Sequence, residues 1–181
     1  MLLDGGFNVK DTDEFGNWLL ALYFGGLRLC VDTDICRLLP GNGTDPSSVN
    51  MNGLNLAHLC ANCSDLEAGI LKTLVEFGVD ITKTDFEGKT ALHHIALKGT
   101  LTESALVFLL EKTGLRMENR DSFGKTPLEY AADMARAEHH PMIYDPERWT
   151  RTENLLLNVQ LSQGRNNERS TGESERKDWA G

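Results

Sequence analysis

A four-residue turn string recurs along the chain at a nearly constant interval. It reads Asp-x-x-Gly at Asp13–Gly16, Asp85–Gly88 and Asp121–Gly124, and the related string Asn50–Gly53 stands between the first two. Successive glycines of these strings are 37, 35 and 36 residues apart. A type I turn favours aspartate or asparagine at its first position and glycine at its fourth. An internal repeat of this length indicates a stack of similar units, each opened by a turn.

A helix is predicted to follow the turn of each unit. Thr90–Ala96 and Thr126–Ala132 both start with a threonine that suits the N-cap, and Pro127 suits the first helical position. The aromatic share of the chain is only 7%. Because leucine is abundant as well, helices packed through aliphatic side chains are favoured over a β-sandwich.

A second helix is predicted in the middle units. Ser64–Glu67 has the composition of a capping box, and the helix after it stops at Gly78. Thr100–Glu103 has the same role in the next unit, where the helix ends at Gly114. Each unit therefore consists of a turn and a pair of helices.

The order of turn, Thr-Pro-Leu-His-x-Ala and a helix pair ending in Leu-Leu-x-x-Gly resembles the ankyrin repeat. Thr90–Ala96 and Thr126–Ala132 carry the motif most fully, and Asn55–Cys60 and Leu74–Asp80 carry a weaker form. In the first unit Trp18–Tyr23 replaces the motif, so this unit is either re-packed or an end cap. The resemblance implies an all-α ankyrin-repeat helical solenoid with short β-turn or hairpin fingers.

The predicted repeat domain covers residues 1–161. It consists of a partial repeat at 1–12 and four repeats at 13–49, 50–84, 85–120 and 121–161. The partial repeat contains Leu2–Val9, which is similar to the tail of a preceding unit. The chain is therefore either a fragment of a longer protein or begins with a degenerate half-unit.

The C-terminal part departs from the repeat in two places. In the fourth unit 29 residues separate Thr126 from Leu155, against 19 for the matching pair of the third unit. The added residues, around 139–147, contain two prolines and read as a loop that is either part of a binding face or a tolerated insertion. Residues 162–181 are predicted to be a disordered polar tail, because Ser162–Gly172 has no aliphatic side chain to bury.

Charge and hydropathy restrict the partners and the compartment. The formal net charge is -9, from 27 acidic and 18 basic residues, and no basic patch offsets it. We therefore expect no nucleic-acid partner. The N-terminus has no basic, apolar leader and no long apolar run occurs, so we expect no membrane association and an intracellular protein, cytoplasmic or nuclear. The expected partner is a protein, and the chain is expected to be a monomer or part of a larger chain.

The four cysteines raise the possibility of a zinc or redox module. Cys60 and Cys63 have the spacing of thiolate ligands in tetrahedral sites. The spacing of Cys30 and Cys36 does not match, and Cys60 stands at the small, buried alanine position of the repeat. Reduced, structural thiols are favoured over a metal site.

The histidines are assigned mainly to structure. The resemblance implies that His58 and His93 bond backbone groups of an adjoining turn. His94, His139 and His140 are either pH sensors or solvated surface residues. No phosphate-binding glycine loop, metalloprotease string or paired catalytic carboxylates are present in the sequence. We therefore predict no enzyme activity, no catalytic residues, no metal and no cofactor.

The predicted binding surface consists of the turn tips and the concave face of the first helices. In ankyrin-like stacks the tips project side by side, and aromatic side chains dominate the energy of protein interfaces. The alternative is that these rings fold back and hold neighbouring tips together. The predicted partner-binding residues are Phe15, Met51, Phe86, Glu87, Phe123 and Lys125. A second hypothesis is a regulatory ankyrin segment of a larger signalling protein or enzyme.

Overall fold

The computed structural model describes residues 12–18, 21–23, 45–64, 66–137, 145 and 147–177. Several predictions fall outside these residues. They concern the partial repeat before Thr12, Cys30, Cys36, His139, His140 and most of the insertion at 139–147.

The described chain is built from helix pairs. Its helices are α1 (Leu56–Leu59, continued by a 3-10 turn at Cys60–Asn62), α2 (Ala68–Glu76), α3 (Ala91–Lys98), α4 (Glu103–Lys112), α5 (Pro127–Arg136) and α6 (Arg148–Lys177). The first helices α1, α3 and α5 pack side by side, and the second helices α2 and α4 form a second layer. Residues 12–23, 45–64 and 66–177, as far as they are described, contain no strand, which agrees with the helical solenoid that was predicted.

The predicted turns form short fingers between the helix pairs. In the third finger the Asp85 carboxylate accepts hydrogen bonds of 2.9 Å from the backbone N–H groups of Glu87 and Lys89. Equivalent bonds close the other fingers, at Asp13, Asn50 and Asp121. One side-chain oxygen thus satisfies two backbone donors, which explains why the turn requires aspartate or asparagine at its first position.

Histidines join the first helices α1 and α3 to the next finger. His58 Nδ1 accepts the backbone N–H of the N-cap residue of α1, and Nε2 lies 3.1 Å from the carbonyl oxygen of Lys89. His93 repeats both contacts, reaching the carbonyl of Lys125 at 3.1 Å. Since Nδ1 accepts, the ring proton is on Nε2, which donates to the carbonyl. In α5 the carboxylate of Glu129 takes over the N-cap contact at 2.7 Å.

The second helices begin later than the sequence predicted. α2 begins at Ala68 without a side-chain cap, so the capping box at Ser64–Glu67 was wrong. In α4 the N-cap is Thr102, whose hydroxyl accepts from the N–H of Ala105, and not Thr100. The reason is that the residues before each helix form an extended connection, in which Leu66 and Leu101 pair as a parallel bridge and are buried.

Helix α6 closes the described stack. It packs against α5 and α3, and Trp149 near its start is 1% exposed and donates from Nε1 to the carbonyl of Leu97 at 2.9 Å. Leu156 is fully buried on the same helix. The helix continues to Lys177, so the disordered tail predicted from residue 162 differs from the structure. Extending a helix that packing has already nucleated adds one hydrogen bond per residue, which favours helix even where the residues are polar.

Candidate interaction surface

The fingers form a continuous row because each is hydrogen-bonded to the one before it. The second residue of a finger donates its backbone N–H to the carbonyl of the third residue of the preceding finger. The three bonds are Met51 to Phe15 at 3.1 Å, Phe86 to Asn52 at 3.1 Å and Ser122 to Glu87 at 2.8 Å. All four tips therefore stand side by side in one ladder, and their side chains point from a common backbone frame.

The predicted apolar tip residues are strongly exposed. Phe15 is 59% exposed, Met51 68%, Phe86 74% and Phe123 64%. They are the four most exposed large apolar residues of the described chain. Met51 and Phe86 occupy the second position of their fingers, whereas Phe15 and Phe123 occupy the third. We call these four residues the tip row.

Part of the tip row also packs against the preceding finger. A Cβ placed on Gly53, whose φ is +79°, would lie 2.6 Å from Cδ1 of Phe86. A Cβ on Gly16 would lie 3.2 Å from Cγ of Met51. The contact between neighbouring tips that was one alternative is therefore present in part: one edge of the Phe86 ring covers the preceding finger, while most of its surface stays open to solvent.

Between the third and fourth fingers lies a buried lysine. The Lys89 side chain is 8% exposed, pairs with the Glu87 carboxylate and lies 3.9 Å from Oδ2 of Asp121. Its Nζ also stands 4.8 Å from the centre of the Phe123 ring and 5.7 Å from that of Tyr130. An ammonium group over an aromatic face is attracted by the ring quadrupole. Lys89 thus fixes Glu87 and Phe123, two of the predicted partner-binding residues, relative to each other.

Helix α5, the first helix of the fourth unit, completes this end of the surface. Lys125 Nζ pairs with Asp133 at 2.7 Å and lies 5.3 Å from the Tyr130 ring. The Tyr130 hydroxyl donates to Asp121 Oδ2 at 2.6 Å. Burial raises the pKa of Tyr130, and the hydrogen bond to Asp121 adds to that effect, so the phenol stays protonated. The described structure brings all six predicted residues onto one row of four fingers, in which each finger is hydrogen-bonded to the one before it.

Lys89 and Tyr130 were not predicted from the sequence. The sequence did contain a signal that could have identified Lys89. Gly88-Lys89-Thr90 repeats Gly124-Lys125-Thr126, and Lys125 was among the predicted partner-binding residues. The burial of Lys89 depends on a following finger, which supplies Asp121 and Phe123. Only the stacked structure distinguishes the two lysines.

Histidines line the base of the fingers. His94 Nε2 lies 2.8 Å from Asp85 Oδ2, so this residue is not the solvated surface histidine that was one alternative. Burial lowers the pKa of His94 and outweighs the opposing effect of Asp85. Its ring meets that of His58 edge to face at 5.3 Å, and burial together with His94 lowers the pKa of His58 to about 4. Both rings are neutral at pH 7, which suits a structural role.

Cys60 and Cys63 are both buried. The Cys60 thiol donates to the carbonyl of Ala57 at 2.9 Å, and burial raises the pKa of this thiol well above its usual range. No cluster of three or more metal-ligating side chains exists among the described residues. The geometry around Cys60 is that of a small packed side chain, because zinc ligation and thiol chemistry both need the thiolate.

The repeated fingers, the paired helices and the histidine contacts between units define a helical repeat protein with an exposed row of turn tips. A family model described as "Ankyrin repeats (3 copies)" matches residues 27–112 and again residues 67–144. The chain belongs to the ankyrin repeat family. Ankyrin repeats are generally protein-interaction modules without catalytic activity of their own.

Two curated relatives from Arabidopsis thaliana show the same similarity. ADP-ribosylation factor GTPase-activating protein AGD2 is 32% identical over 84 residues, which is 46% of this chain and 10% of the relative. ADP-ribosylation factor GTPase-activating protein AGD4 is 28% identical over 103 residues, 57% of this chain and 12% of the relative. The chain thus covers about a tenth of the length of these relatives. In the described residues no helix has the length and hydropathy required to span a bilayer.

Proposed function

We propose that this chain binds a protein partner through the tip row and the adjoining face of α3 and α5. The observation that carries the proposal is the exposure of four large apolar side chains along one hydrogen-bonded row of fingers. Exposed apolar residues are ordinary when scattered, but a contiguous set at fixed spacing marks an interaction surface. The buried Lys89 makes the set rigid at one end, which lowers the entropy lost on binding.

The electrostatics of the chain support a protein partner over a nucleic acid. The formal net charge of -9 repels phosphate groups. Near the fingers, Lys89 and Lys125 are each engaged with carboxylates of the chain itself. These lysines therefore do not form a basic patch that could hold a phosphate backbone.

The test is a comparison of protein capture by three forms of the intact chain. The wild type, the double variant Phe86→Ser/Phe123→Ser and the control Val107→Ser are immobilised at equal density. Val107 is 47% exposed on α4, a second helix, so its substitution removes apolar surface outside the fingers. We expect a partner that is retained by the wild type and the control and lost with the double variant. The partner is then purified and its affinity is measured.

A thermal melt of each variant accompanies the affinity measurement. Because Phe86, Phe123 and Val107 are 74%, 64% and 47% exposed, we expect the melting temperatures to stay within a few degrees of the wild type. A double variant that loses stability but keeps partner affinity would contradict the proposal and favour a purely structural role for the tip rings.

A second candidate function is suggested by the relatives. Both align with this chain over only 10% and 12% of their length, and both are named as GTPase-activating proteins. In this second proposal the chain is the regulatory ankyrin segment of a larger signalling protein or enzyme. An antibody against Glu103–Lys112 would detect a native product much larger than 20.1 kDa if this proposal holds, and a product of that mass if it fails.

A further inference from the structure

The fingers and the adjoining parts of the first helices are unusually acidic. Residues 12–18, 50–58, 85–94 and 120–133 contain seven carboxylates and three basic side chains, so this surface contributes about four of the chain's nine net negative charges. The second helices α2 and α4 together contain three carboxylates and two lysines. The negative charge is therefore concentrated on the same side of the molecule as the tip row.

Two carboxylates at the base of the fingers, those of Asp85 and Asp121, stay ionised at neutral pH although their side chains are buried. Burial acts to raise the pKa of Asp121, but hydrogen bonds from Tyr130 and from backbone N–H groups outweigh it and lower the pKa overall. The same balance lowers the pKa of Asp85. Glu87 is 59% exposed and Glu14 is exposed at the first tip. A partner approaching the tip row meets apolar side chains surrounded by negative charge.

The chain itself shows how such a surface holds a cation. Lys89 is enclosed by the Glu87 and Asp121 carboxylates and covers one face of the Phe123 ring at 4.8 Å. Carboxylates and aromatic faces together stabilise an ammonium or guanidinium group. The same two kinds of group, the Phe86 ring and the outer face of the Glu87 carboxylate, are adjacent in sequence and exposed at the third tip.

We infer that the tip row binds a protein segment in which apolar side chains are flanked by lysine or arginine. The inference rests on the proposed function and specifies its partner class by charge complementarity. Apolar side chains of the segment pack on Met51 and Phe86, and its cations face Glu14 and Glu87. An acidic segment is excluded from this surface by like-charge repulsion.

The experiment is a selection of peptides from a random display library with the intact chain as bait. We expect the enriched peptides to carry net positive charge together with aromatic or aliphatic residues. One enriched peptide is synthesised with a fluorescent label, and its affinity is measured at low and high salt by fluorescence polarisation. Affinity is expected to fall with rising salt, because the attraction involves partly exposed charges.

Charge-neutralising variants then locate the contact. Glu14→Gln and Glu87→Gln are each expected to weaken the peptide about threefold to tenfold, the range of roughly 0.7–1.4 kcal/mol. Glu76→Gln is the matched control, since Glu76 is an exposed carboxylate of α2, 58% accessible and paired with Lys72. We expect no change for the control. Glu14 does not belong to the cluster that Lys89 forms with Glu87, Asp121 and Phe123. The substitution Glu14→Gln therefore tests the effect of charge without disturbing that packing.

The outcomes separate this inference from the proposed function. If the enriched peptides are neutral or acidic but do not bind the variant Phe86→Ser, the inference is overturned and the proposed function still stands. Peptides whose binding is unaffected by Phe86→Ser and Phe123→Ser would contradict both, as would the absence of any tip-dependent peptide.

Discussion

The imidazole of His93 and the carbonyl of Lys125, 32 residues apart in the chain, are 3.1 Å apart in the structure. The same distance joins His58 to Lys89 one unit earlier. Each histidine therefore hydrogen-bonds through one ring nitrogen within its own unit, at the start of its helix, and through the other to the following finger. This arrangement ties the third finger to α1 and the fourth finger to α3, and it requires the neutral imidazole.

Stability is predicted to fall as the pH drops from 7 to 5. The pKa of His58 is about 4 in the fold and about 6.5 when unfolded. Between these values the unfolded state binds more protons than the folded state, so protons favour unfolding. For His58 alone the free energy of unfolding should fall by about 2 kcal/mol, and the lowered pKa values of His93 and His94 act in the same direction. Urea denaturation at a series of pH values measures the effect.

His58→Gln is the control for this pH dependence. Glutamine at the third helical position can accept the N-cap N–H and donate to a carbonyl, but it does not titrate. We expect a shallower loss of stability between pH 7 and 5 in this variant. An unchanged slope would show that His58 is not the group responsible.

Gly99→Ala is predicted to destabilise the contact between α3 and α6. Gly99 has φ +68°, and an added Cβ would lie 2.8 Å from the Trp149 ring. The left-handed backbone and the crowding should together lower the free energy of unfolding by about 2 kcal/mol or more. Gly69→Ala is the matched control, because Gly69 lies within α2 and a new Cβ there would meet nothing within 4 Å beyond its chain neighbours and the backbone of its own helix.

The control variant is expected to gain stability. Replacing a helical glycine by alanine stabilises by about 0.5–1 kcal/mol. Chemical denaturation of both variants under one condition gives the comparison. Equal effects of the two substitutions would contradict the described packing of Trp149 on Gly99.

Lys89→Ala is predicted to destabilise the third and fourth fingers. The substitution leaves Asp121, which is buried, without its nearby cation and removes the group packed on Phe123. Removing one partner of a buried ion pair costs about 3–5 kcal/mol. Lys72→Ala breaks an exposed i,i+4 pair with Glu76 and should cost less than about 0.5 kcal/mol. Similar denaturation midpoints for the two variants would mean that the Lys89 cluster contributes little.

Hydrogen exchange is expected to protect residues 55–132 best. This segment contains α1 to α4 and the start of α5, whose helices pack on those of the adjoining units, and repeat stacks are stabilised by such nearest-neighbour contacts. Amide exchange measured by NMR or mass spectrometry resolves the pattern. Uniform protection from residue 2 to residue 161 would contradict it.

Local signals in the sequence were sufficient for the repeat and its fingers. The Asp-x-x-Gly strings specify the turn through hydrogen bonds that lie within five residues, as in Asp85–Lys89. Thr126 and Pro127 likewise mark the start of α5, which begins at Pro127. Signals of this kind are short-range, so they can be read without knowing what the segment contacts.

The second helices and the C-terminal helix were predicted less well for the opposite reason. Ser64 and Thr100 are both plausible caps by composition, but Leu66 and Leu101 pair between neighbouring units, and the helices start after that contact. Likewise the polarity of the tail suggested disorder, whereas α6 extends from a start anchored by Trp149. In each case a contact between distant residues overrides the local preference.

By itself the sequence determined that this protein is a stack of turn and helix-pair units and that apolar residues stand at its turn tips, since both depend on chemistry local to each repeat. Only the tertiary structure decided which side chains at the fingers are buried by a neighbouring finger and which stay exposed to solvent. Lys89 and Lys125 occupy the same motif position, yet Lys89 is buried because the following finger supplies Asp121 and Phe123. Burial depends on the neighbouring unit, which a residue's own sequence context does not contain.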